Sequence, residues 1–286
     1  MGRTVYLNGE FIPEEKAKIS VFDRGFLFAD GVYEVSAVLN GTLIDNHYHL
    51  QRLGRSLNEL NMSSPLENKE IEAIQLELIK RNKLEEGLVY LQITRGATDR
   101  DFSYPKEIRP SILLFTQVKN ILNNKMARQG MTVITSPDLR WARRDIKTIS
   151  LLAASMAKME AIKSGADDVW LVDQNGLITE GSSSNTYIVT EEGVITRHLS
   201  NDILAGITRR AILHLAETQN VKIIERAFTA TEAKQAREAF ATSAGMFVIP
   251  VVKIDDKRVG LGRPGKTTRS LQQLYIEMAL QQSSIK

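Results

Sequence analysis

Trp141-Ala-Arg-Arg-Asp-Ile-Lys147-Thr148 ends a polar loop, Ser136–Lys147, and leads into an Ala- and Met-rich helical pattern, Leu151–Lys163. Two strand-like runs follow, Asp168–Val172 and Leu177–Thr179, joined by Asp173-Gln-Asn-Gly176. Asn175-Gly176 is a hairpin signal because both residue types tolerate positive φ. The chain then continues as Glu180-Gly-Ser-Ser-Ser-Asn185, a Ser-rich bend before a strand over Asn185–Val189. Beyond it a helix is expected over Thr208–Thr218, after Gly206, and a closing helix over roughly Thr268–Gln281. This order of loop, helix, hairpin and bend, preceded by a strand over Met131–Thr135, predicts a β-rich unit over residues 131–286.

The first part of the chain reads as a smaller α/β unit, residues 1–117. Short strands are expected over Thr4–Leu7, Val32–Leu39, Leu88–Thr94 and Ser111–Phe115. A helix over His49–Leu60 would place Leu50, Leu53, Leu57 and Leu60 on one face, and Ile71, Ile74 and Leu78 would stripe a second over Lys69–Arg81. The polar stretch Gln117–Gln129 carries no strong pattern and predicts an interdomain linker over 118–130. The fold class is therefore α+β in two lobes.

Composition narrows the function classes. With 286 residues, 43% hydrophobic and 25% charged, the chain has the balance of a soluble globular protein. Its apolar runs, such as Met246–Val252, fall far short of the roughly 20 residues of a membrane span. The absence of Cys excludes a disulfide scaffold, a thiolate metal site and a cysteine nucleophile. Met1–Glu10 lacks the apolar core of a signal peptide, and Tyr6 disfavours myristoylation at Gly2, so a cytoplasmic enzyme is expected. The 37 basic and 34 acidic residues leave a net +3 spread along the chain, with Arg140, Arg143 and Arg144 flanked by Asp138 and Asp145. Nucleic-acid binding needs a more concentrated basic stripe.

Two local motifs invite chemistry that their context does not support. Gly260-Leu-Gly-Arg-Pro-Gly-Lys266-Thr267 fits the phosphate-loop pattern, whose backbone N–H groups would wrap a nucleotide. Only 19 residues follow, too few to supply the further strand with its acidic magnesium partner, and Asp255–Arg258 reads as a hairpin turn. His47 and His49 form an H-x-H pair, but residues two apart on a helix point in different directions. No Asp, Glu or Cys cluster accompanies them, so one is expected to make an ordinary hydrogen bond at a helix start, and no metal site is expected. No Gly-x-Ser-x-Gly elbow is present for a serine hydrolase.

The stronger signal is distributed. Trp141–Thr148, Glu180–Asn185 and Ile203-Leu-Ala-Gly-Ile-Thr208-Arg combine with Asp23-Arg-Gly-Phe-Leu-Phe-Ala-Asp-Gly-Val-Tyr33-Glu34 and a helix bearing Arg52. From about Val5 to about Gln281 the chain resembles the fold-type IV pyridoxal-phosphate enzymes, most closely the D-amino-acid transaminases. The resemblance implies that Lys147 holds the cofactor aldehyde and later carries a proton between substrate and cofactor. A lysine doing so must shed its own proton, which partial burial favours. Glu180 would face the pyridine nitrogen and keep it protonated. Gly206, Ile207 and Thr208 would offer a helix N-terminus to the phosphate, with Arg52 adding charge. Ser183 belongs to the bend near the cofactor, Ser243 and Ala244 to a second phosphate-contacting turn, and Leu204 to the ring face. At Ala244 the family often has a hydroxyl, so here only a backbone N–H is on offer.

The resemblance also implies a substrate. Tyr33 matches the active-site tyrosine of D-amino-acid transaminases. Thr94–Phe102 matches a loop that, in the family's homodimer, reaches the neighbouring subunit's site and clamps the α-carboxylate. Arg100 is kept there, whereas Phe102 occupies a position that usually carries histidine. The implied activity moves an amino group from D-alanine or D-glutamate to a 2-oxo acid such as 2-oxoglutarate in a ping-pong cycle. The alternatives are a branched-chain L-amino-acid transaminase, whose Phe-Glu-Gly-Ile-Arg type strand Val32–Ser36 does not match, an (R)-amine transaminase, an aminodeoxychorismate lyase, a phosphate-loop protein and a non-catalytic cofactor binder.

Overall fold

The computed structural model describes residues 2–284. Alternating apolar residues and tight turns build a six-stranded antiparallel sheet from the first part of the chain. Its strands are β1 (Thr4–Leu7), β2 (Glu10–Pro13), β3 (Gly31–Leu39), β4 (Thr42–Leu43), β5 (Glu86–Thr94) and β6 (Ser111–Val118), in the order β2-β1-β6-β5-β3-β4. A short helix α1 (Arg24–Phe28) precedes β3, and two longer ones, α2 (Asn46–Glu59) and α3 (Asn68–Arg81), supply the apolar cover. Leu50, Leu53 and Leu57 of α2 and Ile71 and Leu78 of α3 are buried against Val32, Leu91, Ile93, Ile112 and Leu114 of the sheet. The expected stripes are thus the packed faces, with Leu60 and Ile74 at their edges.

The rest of the chain forms a nine-stranded mixed sheet. It contains β7 (Met131–Pro137), β8 (Asp168–Val172), β9 (Ile178–Gly181), β10 (Asn185–Val189), β11 (Val194–Thr196), β12 (Ile223–Glu225), β13 (Glu238–Ser243), β14 (Phe247–Ile254) and β15 (Lys257–Arg258). The order is β12-β11-β10-β13-β14-β7-β8-β9, with β15 also on β14. Helices α4 (Lys125–Gln129), α5 (Leu152–Lys163), α6 (Ile207–Thr218), α7 (Ala230–Gln235) and α8 (Lys266–Ser284) accompany it. Its core gathers Met131, Val133, Trp170, Ile178, Ile188, Phe228, Ile249 and Val251.

The structure departs from the sequence reading at identifiable places. The stretch expected to be a linker contains α4, capped by Asn124, which accepts a hydrogen bond from the Met126 N–H, and ended by Gly130 at φ 86°. The expected hairpin is present, but only Gly176 takes positive φ, at 77°. The Asp173 carboxylate closes the turn instead, accepting from the N–H groups of Asn175 and Leu177 at 2.9 and 3.0 Å. Nor is the chain divided by one cut near 118–130. One compact unit holds the residues up to Asn120, Ile146–Ser150 and the end of the chain from Ala279, and the other holds Ile121–Asp145 and Leu151–Met278. Sequence had drawn Lys147 into the large domain. Its segment belongs with the first unit because its main chain hydrogen-bonds to β3, the Tyr33 N–H donating to the Lys147 carbonyl at 3.0 Å and the Ile149 N–H to the Gly31 carbonyl at 3.1 Å. At Gly31 a Cβ would lie 2.7 Å from the Ile93 carbonyl oxygen of β5 and 3.1 Å from Ile149 Cδ1 of the segment, so both neighbours pack closely there.

The phosphate-loop match is a helix cap. The Thr267 and Thr268 N–H groups, which would have to face a phosphate, donate to the Glu238 carboxylate of β13 at 3.0 and 2.8 Å. Gly265 is required because a Cβ would fall 2.0 Å from the Glu238 carboxyl carbon. Replacing Glu238 with Ala should therefore cost about 1 kcal/mol, the usual loss for a capping side chain, whereas Lys266→Ala should leave stability unchanged. Urea unfolding of both variants checks this, and calorimetry should detect no ATP–magnesium binding to the wild type. Micromolar nucleotide binding lost in Lys266→Ala would restore the phosphate-loop reading.

Candidate active site

β3 alternates between two faces, and its polar residues decide what each can do. Glu34 and Ser36 share the helix-covered face with Val32 and Val38, positions where a strand of this kind ordinarily buries apolar residues. Tyr33 points the other way and stacks on Tyr90 at 5.6 Å, which stacks on Phe115 at 4.7 Å. The Lys147 ammonium sits over the Tyr33 ring, 4.2 Å from its centroid. Its backbone N–H also donates to Ser56 Oγ of α2 at 3.4 Å, so β3 and α2 together fix this half-buried lysine.

Arg52, expected at a phosphate, engages Glu34 through both edges of its fork. Nε and Nη2 each donate at 2.8 Å to the two carboxylate oxygens. His49 Nδ1 lies 2.7 Å from the same carboxylate. All three side chains are buried. Burial opposes the charge on Glu34, but Arg52 and then His49 outweigh it and draw its pKa down to about 2. His49 is pushed below its ordinary value, chiefly by burial, although the bond to Glu34 resists. His47, its partner in the H-x-H pair, is exposed and bonds Gln51 at 2.9 Å. Sequence reasoning gave Glu34 and His49 no role at the site. The available signal was an acidic residue at an inward-facing strand position, with a His and an Arg three apart on the helix that packs over it.

In the second unit the charged centre is Glu180, at the end of β9. It is buried, and Arg140 Nη1 donates to its Oε1 at 2.5 Å. Asn185 Nδ2 and the Leu204 N–H donate to its Oε2 at 3.2 and 3.1 Å. Burial raises the Glu180 pKa above the ordinary carboxylate value, with Arg140 pulling against it. Asn185 also donates to the Leu204 carbonyl at 2.9 Å, which orders the approach to α6. Gly206 is the N-cap of α6, and a Cβ there would lie 2.0 Å from Asn185 Oδ1. No side chain caps this helix, which leaves the N–H groups of its first turn, around buried Ile207 and Thr208, suited to receive an anion. Within the Ser-rich bend Ser183 is exposed, while the buried Ser184 hydroxyl lacks a hydrogen-bond partner. Ser243 and Ala244 open the turn from β13 to β14, where Phe247 holds φ 57° and packs its ring 4.8 Å from Tyr275. A buried carboxylate, an uncapped helix N-terminus and a buried, unbonded hydroxyl together fit a heteroaromatic phosphate ester.

Arg100 stands on an exposed loop, its guanidinium 5.4 Å from the Phe28 ring and 5.7 Å from that of Phe102. Phe102 is 81% exposed. The loop is firmly based nonetheless. Buried Arg24 and Arg95 both pair with Asp30 at 2.8 Å, and Arg24 also donates to the Asp101 carbonyl at 2.7 Å. Tyr104 lies under Arg95 at 3.8 Å.

The Glu34 cluster gives stability a defined acid limb. A carboxyl whose pKa falls from 4.5 to about 2 on folding contributes stability that is complete above pH 4.5 and disappears as pH falls toward 2. Its size is on the order of 3 kcal/mol. His49 acts in the same direction at higher pH: held neutral when folded, it favours the unfolded chain as pH drops below 6.5. Urea unfolding across pH should show both windows. Glu34→Gln should be less stable at neutral pH with a flatter slope below pH 4.5, and an unchanged slope would show that Glu34 is not the group responsible.

Comparison with known proteins agrees with this geometry. The family described as amino-transferase class IV matches residues 31–254. A protein of Staphylococcus epidermidis named D-alanine aminotransferase is 37% identical over 282 residues, covering 98% of this chain and 99% of its own. A solved branched-chain amino acid aminotransferase of Escherichia coli shares the fold with a TM-score of 0.90 at 22% identity, covering 98% of this chain and 95% of that one. A second enzyme of that name, from T.th. and solved with pyridoxamine 5'-phosphate, has a TM-score of 0.90 at 24% identity, again covering 98% and 95%. The chain, two-lobed and α+β, belongs to the class IV amino-transferases.

Proposed function

We propose that this enzyme transfers the amino group of D-amino acids, D-alanine and D-glutamate among them, to 2-oxo acids such as 2-oxoglutarate, with pyridoxal 5'-phosphate as cofactor. The observation that carries the reading is the placement of Lys147, its main chain clipped to β3 and its ammonium against Tyr33. The near-full-length relatives named D-alanine aminotransferase support the choice of D-substrates. When bound, the cofactor supplies the electron sink that lets a proton leave the substrate Cα. Lys147 holds the cofactor and then moves that proton. Glu180 faces the ring nitrogen, Leu204 packs on the ring, and the Ser183 bend lies alongside. The α6 N-terminus at Gly206, Ile207 and Thr208, the Ser243–Ala244 turn and Arg52 hold the phosphate. Borohydride reduction of the holoenzyme should fix the cofactor's mass to the Lys147 peptide, and Lys147→Ala should lose both this label and turnover. Labelling elsewhere would overturn the assignment.

Tyr33 and Arg100 then hold the substrate, Arg100 coming from the neighbouring subunit of a homodimer. The exposed Val21, Phe22, Phe26 and Phe102 of the first unit are the apolar surface that such pairing would cover. A phenyl ring donates no hydrogen bond, so Phe102 leaves carboxylate capture to Arg100, and amines without a carboxylate come within reach. Arg100→Ala should raise KM for D-alanine by about ten- to a hundredfold, the loss of one charged hydrogen bond, and barely alter any reaction with (R)-1-phenylethylamine. Equal effects on both would make Arg100 a prop of the loop. Spectral half-reactions that favour L-leucine over D-alanine would overturn the D-specific reading itself.

A further inference from the structure

The loop between β7 and α5 holds a charged arrangement against Glu180, built from Asp138, Arg140 and Arg144. Asp138 takes Nε and Nη2 of Arg140 at 2.9 and 2.8 Å, one through each carboxylate oxygen. That leaves Nη1, which reaches Glu180 Oε1. Asp138 is itself held by the Thr179 hydroxyl at 2.7 Å and by Arg144 Nε at 3.1 Å. Thr179 directly precedes Glu180 on β9, so one strand end supplies both the carboxylate and the group that steadies its clamp. Two buried carboxylates share one guanidinium. Such an arrangement is a poor source of stability, because desolvating the charges offsets most of their attraction.

We infer that Arg140 is a positioning residue for Glu180: clamped by Asp138, it fixes the orientation of the Glu180 carboxylate and keeps it ionised, so that a ring nitrogen brought to it retains a proton. The inference rests on the reading of Glu180 as the ring's partner. Among the described residues, the charged groups that bear most on Glu180 come from the β7–α5 loop: Arg140 favours ionisation, Asp138 opposes it, and Arg144 pairs with Asp138. The donors from β10 and from the segment before α6 are the neutral Asn185 amide and the Leu204 N–H. Burial acts against the charge, and of the influences that oppose burial Arg140 is the largest. Without it, Glu180 would face Asp138 with no intervening cation and would take up a proton.

The test follows the carboxylic-acid C=O stretch in infrared spectra of the cofactor-free chain across pH, with Glu180→Gln identifying the Glu180 band. Arg140→Met should move the Glu180 titration upward by about one to two pH units. Arg140→Lys, which keeps the charge but loses the fork, should move it less. In the holoenzyme Arg140→Met should slow the D-alanine half-reaction by about ten- to a hundredfold and shift the pH profile of the cofactor's visible band, with Arg140→Lys restoring part of both. A merely structural arginine would leave the Glu180 titration where it is. An unmoved titration in Arg140→Met overturns the inference, and if that variant does not fold, an unmoved titration in Arg140→Lys does so. Should the wild type fail to take up cofactor, the broader functional reading fails, while the infrared titration still decides the role of Arg140.

Discussion

The main-chain pairing of Ile146–Ser150 with the start of β3 is the constraint on which the rest depends. Lysine side chains are long and flexible, and a solvated loop would leave Lys147 without a fixed position. Here the donor of Tyr33 and the acceptor of Gly31 bracket it, and the isolated bridge between Val32 and Thr148 completes the register. The strand that fixes Lys147 is the one that carries Tyr33 on one face and Glu34 on the other. A single piece of sheet therefore sets the Lys147 amine, the ring it rests on and the anion that orients Arg52.

Two buried carboxylates show how environment divides labour between like groups. Glu34 receives a bidentate guanidinium and an imidazole, and burial is overcome. Glu180 receives one nitrogen of a guanidinium whose other two nitrogens serve Asp138, together with two neutral donors, and its pKa stays above the ordinary carboxylate value. Fixed cations outweigh desolvation only when they are dedicated. Glu34 is therefore a permanent anion that holds Arg52 in place. Glu180 remains responsive to whatever is brought against it, which suits the role proposed for it.

Periodicity made the helices and the outer course of the fold legible, because α2 and α3 bury the leucine and isoleucine stripes that their spacing shows. β13 and β14 were not legible: Met246–Val252 is continuously apolar, without the alternation that marks a half-buried strand, since β14 runs inside the sheet between β13 and β7. The helix α4 was hidden in a polar stretch, although Asn124 and Gly130 cap it in the ordinary way. Among the candidate site residues, those in compact motifs such as Lys147, Glu180 and Gly206 stand out from sequence. Glu34, His49 and Arg140 could not, because what gives them a role is a partner brought close by folding. The phosphate-loop match shows the converse, a full motif whose donors are satisfied by a carboxylate from a distant strand.

The loop carrying Arg100 combines a rigid base with an open tip, and the two are built from the same chemistry. Arg24 and Arg95 are buried, share the Asp30 carboxylate and stack near Tyr104, so the loop leaves the sheet in one direction. At the tip, Arg100 rests on Phe28 and Phe102, which meet edge to face at 5.6 Å. Aromatic faces hold a guanidinium more weakly than a carboxylate does and leave its in-plane N–H groups directed outward. A loop meant only to close the fold would pair its arginine with a carboxylate as its base does. On the role proposed for Arg100, a cation offered to an arriving carboxylate is better served by a resting place that can be outcompeted, which the Phe28 and Phe102 rings provide.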